Sequence, residues 1–161
     1  MKTLFLVRHA KSSRDDPSLP DKNRPLDDRG KRDAPKMGKR LAKRGVKPDL
    51  IVSSPATRAL ATAQLIADEI GYKRKDIVLN DRLYAAAADD LLAVIHTLDP
   101  TRDCVMLVGH NPEFSELANR LSGEIGDLPT CAIAEFSFDT KAWPDVGEVE
   151  PAEVALDHPK K

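Results

Sequence analysis

Three short stretches of this chain carry the residue types of phosphoryl chemistry. Arg8-His9 closes the apolar run Thr3-Leu4-Phe5-Leu6-Val7. Ser53-Ser54-Pro55 closes Asp49-Leu50-Ile51-Val52, and Arg58 follows at once. Gly109-His110-Asn111-Pro112 closes Cys104-Val105-Met106-Leu107-Val108. The chain has only 4 histidines, and His9 and His110 both stand where an apolar run stops. A neutral imidazole is a nucleophile. Guanidinium forks grip phosphate oxygens bidentately, and helix N-termini offer amide donors. Two arginines, two histidines and two helix starts brought to one spot would suit a phosphoryl group. Taken singly, each residue has a plainer reading. His9 could be a satisfied strand-end histidine, Arg58 a surface helix arginine, and His110 a helix cap.

Other residues are more ambiguous. Ser12 and Ser13 follow the His9 turn and read either as phosphate donors or as solvated loop. Arg24 reads either as a ligand for the substrate's anionic end or as an exposed arginine. Asn111 reads first as an N-cap and second as a substrate contact. His96 belongs on a helix surface, His158 to a disordered polar end, Cys104 to core packing, and Trp143 to the cover of the sheet. No His-x-His, paired cysteine or carboxylate group has metal-ligand spacing. No Gly-x-x-x-x-Gly-Lys-Ser/Thr loop is present either. No metal and no cofactor are therefore expected.

The elements that must position these residues alternate. Apolar runs at 3–7, 49–53, 76–79, 103–108 and 132–138 read as strands, and a weaker one at 146–156, broken by Pro151, reads as a sheet edge. Asp27 or Asp28 caps a helix running to Arg44 and closed by Gly45, with Ala34, Met37, Gly38 and Leu41 on one stripe and Pro35 expected to kink it or delay its start. Ser54 and Pro55 have the chemistry of an N-cap and first helical residue. The helix after them carries Ala59, Ala63, Ile66, Ala67 and Ile70 inward and stops at Gly71. Asp89 or Asp90 caps a third helix with Leu91, Ile95 and Leu98 inward. Asn111-Pro112 opens a fourth, with Phe114, Leu117, Ala118 and Leu121 inward. Strands alternating with helices predict an α/β domain, a mostly parallel sheet with helices on both faces and an antiparallel C-terminal edge. Ligands of such sheets bind beyond the carboxyl ends of the strands, where His9, Ser54 and His110 fall. The polar stretch 10–26, with Pro17, Pro20 and Pro25, is long enough to be a functional loop or a disordered one.

Composition sets the outer bounds. The chain of 161 residues is 41% hydrophobic and 32% charged, the mixture of one globular domain. Its net charge of -1 hides an asymmetry: residues 1–48 hold 15 Lys and Arg against 6 Asp and Glu. A basic N-terminal third suits an anionic substrate, although the run from Lys31 to Lys47 reads as solvated helix surface. Aromatic residues are only 4%, which argues against base stacking and so against a nucleic-acid partner. No apolar run is long enough to span a membrane. Two cysteines make no disulfide framework, and with no signal-peptide pattern at the start the expected compartment is the cytoplasm.

Leu6-Val7-Arg8-His9-Ala10, Ser53-Ser54-Pro55-Ala56-Thr57-Arg58-Ala59 and Val108-Gly109-His110-Asn111-Pro112 together resemble the motifs of the histidine phosphatase superfamily. These are an Arg-His-Gly opening, a Ser-Pro-x-x-Arg-Ala segment and a late Gly-His. Arg24-Pro25-Leu26 with Gly30, the short length and the strand at Ala132-Ile133-Ala134 are similar to SixA-type phosphohistidine phosphatases. The resemblance covers most of residues 2–139. It implies a single-domain three-layer fold of the phosphoglycerate mutase type, with the domain at 1–156 and a polar tail at 157–161. It implies His9 as nucleophile and Arg8, Arg58 and His110 around the phosphoryl oxygens, with Ser12, Arg24 and Asn111 as substrate contacts. It implies a phosphohistidine-bearing protein, such as a phosphotransfer domain, as partner.

Two departures from the superfamily pattern bear on chemistry. Ala10 replaces the usual glycine. The glutamate that serves as general acid in mutases and ester phosphatases, shortly after an Arg-Leu, is missing: Arg82-Leu83 is followed by Tyr84 and four alanines. The insertions that form a lid in larger members are missing too. The leading expectation is a metal-independent phosphohistidine phosphatase. A small-molecule phosphomonoesterase or mutase is second and a non-catalytic phosphate-binding domain third. The ester reading would need a carboxylate such as Asp89, Asp90 or Glu113 to swing into the site.

Overall fold

The computed structural model describes residues 1–161. β1 (Lys2–Arg8) lies at the centre of a sheet with β2 (Leu50–Ser53), β3 (Val78–Leu79), β4 (Cys104–Gly109), β5 (Ile133–Phe138) and β6 (Glu153–Asp157). The strand order is β3-β2-β4-β1-β5-β6. The first four run parallel, and β5 and β6 pair antiparallel at the C-terminal edge. α1 (Asp28–Lys43) and α2 (Thr57–Ile70) cover one face, α3 (Ala88–His96) and α4 (Glu113–Leu121) the other.

Strand periodicity explains the two cores. Leu4 and Leu6 of β1 and Val105 and Leu107 of β4 pack with α3 and α4. Phe5, Val7, Met106 and Val108 point the other way, onto α1 and α2. Side chains alternate across a strand, so a run apolar at every position is buried on both faces. Trp143 is fully buried against the first core, its indole N–H donating to Arg102 O at 2.8 Å.

Several local expectations are corrected. α2 begins at Thr57, not at Pro55, and its N-cap is Ala56 rather than Ser54, whose hydroxyl accepts from Ala56 N at 3.1 Å in the turn before the helix. The chain stays extended past β2 because Ser54 N still donates to Val108 O at 2.9 Å. α3 starts at Ala88, and Asp90 supports its start from inside by accepting from Ala87 N at 2.9 Å. α1 starts at Asp28 with Asp27 as cap and runs through Pro35 to Lys43. The proline neither delays nor ends it, because burial of Ala34, Met37, Gly38 and Leu41 holds the turns on both sides. The weak strand expected at 146–156 shrinks to Glu153–Asp157, after a short 3₁₀ turn at Trp143–Asp145.

The C-terminal end is not a loose tail. Pro159 is buried. Arg40 NH1 donates to Asp157 Oδ1 at 2.8 Å and to His158 O at 2.9 Å, and Lys36 Nζ donates to Pro159 O at 2.7 Å. The long stretch after β1 is equally ordered. Its ends zip together through Ser13 N to Pro25 O at 2.8 Å and Asp27 N to Lys11 O at 3.0 Å, with Leu26 buried beneath. Gly30 makes this approach feasible, because a Cβ there would overlap the Lys11 carbonyl.

No helix is long and apolar enough to cross a membrane.

Candidate active site

The carboxyl ends of β1, β2 and β4 open into a cavity of about 290 Å³. The parallel register aligns Arg8 with Gly109, so β1 and β4 deliver His9 and His110 to the same level. The main chain there is pinned on both sides: His9 N donates to Gly109 O at 3.0 Å, and Cys131 N donates to His9 O at 3.1 Å. Ala10 is fully buried, its N–H donating to Thr62 Oγ1 at 2.9 Å, and Thr62 Oγ1 donates to Arg58 O at 2.8 Å. Thr62 therefore ties the turn after His9 to the first turn of α2.

All seven sequence-derived residues line this cavity: Arg8, His9, Ser12, Arg24, Arg58, His110 and Asn111. A larger hollow of about 340 Å³ between Arg44 and the β5–β6 edge holds no histidine and lies away from these strand ends. The His9 and His110 ring centroids are 5.2 Å apart, and the Tyr84 ring meets His110 edge to face with centroids 5.4 Å apart.

Hydrogen bonding assigns the His9 proton. His9 Nδ1 lies 2.7 Å from Ala10 O. A carbonyl only accepts, so Nδ1 carries the hydrogen and Nε2 keeps its lone pair. His110 Nε2 lies 2.8 Å from Ser54 Oγ, which already accepts from Ala56 N. With the Ser54 hydroxyl donating to Nε2, His110 Nδ1 is the N–H. That nitrogen has no partner in the protein; nor do Arg8 Nε and Arg58 Nε, all three of them buried. Buried donors are nearly always satisfied. All three belong to residues of one cavity, whose guanidinium and imidazole groups suit an anion with several oxygens.

Electrostatics favours the same protonation states. Burial, then the charges of Arg58, Arg8 and Arg24, lower the His9 pKa from 6.5 to about 4, against the opposing pull of the Ala10 carbonyl. Burial also brings His110 down to about 3, helped by His9 and Arg58. Arg8 is lowered by burial and partly supported by Asp127. Its NH1 donates to Leu128 O at 2.8 Å, which fixes the fork.

The secondary candidates divide. Arg24 is a cavity residue, donating from NH1 to Ser12 Oγ at 2.8 Å. Asn111 faces the cavity but spends its amide on structure, accepting from Ser115 N at 3.1 Å and donating to Leu128 O at 3.0 Å. The three carboxylates considered as acids lie elsewhere. Asp89 pairs with Arg120, Asp90 caps α3, and Glu113 is buried with Oε2 accepting from Ala86 N at 3.2 Å. None lines the cavity.

Sequence reasoning missed Asp21 and Tyr84. Asp21 sits in a short 3₁₀ turn, Asp21–Asn23, folded over the site. Arg58 NH1 donates to its backbone O at 2.7 Å and NH2 to its Oδ2 at 3.0 Å. Tyr84 Oη donates to Oδ2 at 2.8 Å and Arg24 Nε to Oδ1 at 3.1 Å. The Tyr84 hydroxyl, followed by the two arginines, holds the Asp21 carboxyl well below the usual carboxylate range. The only local signal was the Asp21-to-Arg24 spacing, one of several acidic positions in that stretch.

Two strand-end histidines flanked by two arginines, a mostly parallel sheet and three layers define a class. The chain belongs to the histidine phosphatase superfamily (branch 1), which it matches over residues 4–91. Within that class it is similar to SixA proteins. A chain assigned as the phosphohistidine phosphatase SixA of Agrobacterium tumefaciens is 31% identical, with a TM-score of 0.77 over 84% of this chain and 90% of that one. The corresponding chain of Nakamurella multipartitia has a TM-score of 0.86 over 99% of this chain and 97% of that one; at 24% identity this shows the shared fold. An uncharacterized chloroplastic protein of Arabidopsis thaliana is 34% identical over 148 residues, 87% of this chain and 68% of that one.

Proposed function

We propose that the chain is a metal-independent phosphatase that removes phosphate from phosphohistidine on a protein, by way of a phosphohistidine on His9. The His9 Nε2 lone pair attacks phosphorus in line, and the pair of the breaking P–N bond stays on the departing substrate ring. Arg8, Arg58 and His110 bracket the equatorial oxygens and donate to them. Fixed donors of this kind stabilise a transition state that needs position and charge rather than covalent help. Water then attacks the phosphorus on His9, and the bonding pair returns to Nε2. The Ala10 carbonyl holds the ring orientation throughout.

The observation that carries the substrate class is the cavity's acid inventory. Its one carboxylate, Asp21, is held ionised and has no proton to give. Expelling an alkoxide calls for a positioned acid, worth roughly 10²–10⁴-fold. Expelling imidazole does not, because the ring nitrogens take a proton from solvent. The likeness to proteins assigned as SixA phosphohistidine phosphatases supports the same reading.

The test ranks kcat/KM for a phosphohistidine protein, an aryl phosphate and an alkyl phosphate, with His9→Ala alongside. The expected order is phosphohistidine, aryl, alkyl, with all three lost in His9→Ala. An alkyl ester at the top of the ranking, or turnover surviving in His9→Ala, refutes the reading.

A further inference from the structure

Asp21 is the only anionic side chain on a cavity wall that also carries Arg8, Lys11, Arg14, Arg24 and Arg58. That wall attracts a phosphoryl group and repels a cationic leaving group. A phosphohistidine that leaves without an enzyme acid must take a proton on the ring nitrogen distal to phosphorus, which makes the ring an imidazolium. The cavity therefore presents a difficulty that only one of its side chains is charged to relieve.

We propose that Asp21 is a specificity-determining residue: its carboxylate accepts the distal ring N–H of the substrate's phosphoimidazolium. This rests on the phosphohistidine reading above. The proton comes from solvent and stays on the distal nitrogen. The P–N bond breaks with its electron pair passing to the ring nitrogen that bore phosphorus. The ring's positive charge is thereby cancelled, and neutral imidazole departs while phosphorus bonds to His9 Nε2.

Three observations support this placement. First, the carboxylate has capacity. Oδ2 takes two donors, Arg58 NH2 and Tyr84 Oη, whereas Oδ1 takes one, Arg24 Nε. An ionised carboxylate offers two lone pairs per oxygen, so Oδ1 has one free. With 54% of its side chain exposed, Asp21 can meet an incoming ring. Second, it is held in place. Arg58 is buried, and Asp21 is bonded to it through both side chain and main chain. Third, holding Asp21 does not exhaust Arg58. Each terminal nitrogen keeps one N–H, so the same guanidinium can grip the phosphoryl group and fix the carboxylate beside it. An opposite charge favours the protonated ring. The same charge opposes a phenolate or alkoxide, which becomes negative as it leaves. Asp21 thus selects P–N over P–O bonds, the selection that a glutamate acid would relax.

The experiment measures kcat/KM of wild type, Asp21→Asn and Asp21→Glu on phosphoimidazole, a phosphohistidine protein and p-nitrophenyl phosphate. The quantity read is the P–N to P–O ratio, in which the folded fraction of each preparation cancels. Asp21→Asn should lower that ratio at least about 10-fold, the effect of losing one hydrogen bond to a charged group. Asp21→Glu should keep most of it. An equal loss on all three substrates would overturn the proposal and leave Asp21 as a prop for Arg58. An equal gain would overturn it by showing a carboxylate that merely occupies the phosphate subsite. Wild type inactive on both P–N substrates but active on the ester would instead overturn the phosphohistidine reading, and this proposal with it.

Discussion

Mild acid should destabilise this protein through its two site imidazoles before its carboxylates titrate. Unfolded, His9 and His110 take up protons near 6.5; folded, they resist until about 4 and about 3. The unfolded chain therefore binds more protons across that window, and stability falls as pH is lowered through it. The contribution is fully present above 6.5 and is lost towards 4. Each histidine contributes a slope of ~1.4 kcal/mol per pH unit. Over the interval from 6.5 to about 4, His9 alone accounts for about 3 kcal/mol. The rings are 5.2 Å apart, so the two titrate as a pair and their effects are not summed. That loss is a large part of the ~5–15 kcal/mol a domain holds. Asp21, depressed below 3.8, withdraws its support only in stronger acid. Glu113, raised above 4.5 by burial, acts in the opposite sense and offsets part of the loss near the bottom of the window. The assay is urea unfolding at intervals between pH 6.5 and 4, wild type against His9→Gln/His110→Gln. Wild type should lose stability steeply and the double variant should lose little. Equal pH dependence in the two proteins refutes the argument. In kinetics the same burial moves the limb of kcat/KM that belongs to His9 from 6.5 to about 4, so no His9 limb should appear in the ordinary histidine range.

Arg58→Ala should cost at least about 100-fold in kcat/KM, the scale of removing one oxyanion donor; a loss under about 10-fold would contradict its place on the phosphoryl oxygens. It also releases the Asp21 turn, so proteolysis between Ser12 and Arg24 should quicken. Gly30→Ala sets two effects against each other. Alanine gains about 1 kcal/mol of helix propensity over glycine, but its methyl meets the Lys11 carbonyl, a backbone group that cannot simply rotate away. Overpacking of that kind costs about 1–3 kcal/mol, so the variant should melt lower than wild type and show a raised KM, because Lys11 and Ser12 line the cavity. A higher melting temperature would show the helix term winning.

Local patterns settled much of this protein. Apolar runs placed β1 and β4, Asp27 and Gly71 marked helix ends, and the inward stripes of α1, α2 and α4 are the buried ones. The motif residues Arg8, His9, Arg58 and His110 were legible because each sits where a local element starts or stops, and parallel α/β folding sends such points to one edge of the sheet. The start of α2 and the extent of the last strand were not. Ser54 and Pro55 have good helix-start chemistry, yet a bond from Ser54 to the neighbouring strand keeps the chain extended. Pro35 was read as a kink, and helix packing overruled it. The protonation of His9 was also out of reach, since its shift comes first from burial, which no residue type reports. Asp21 is the clearest case. Its partners Arg58 and Tyr84 lie 37 and 63 positions away in the chain. Local spacing carries backbone bonding and periodicity, which act over a few residues. Which charge meets which across a folded cavity depends on how the whole sheet brings its loops together, and only the tertiary structure determines that.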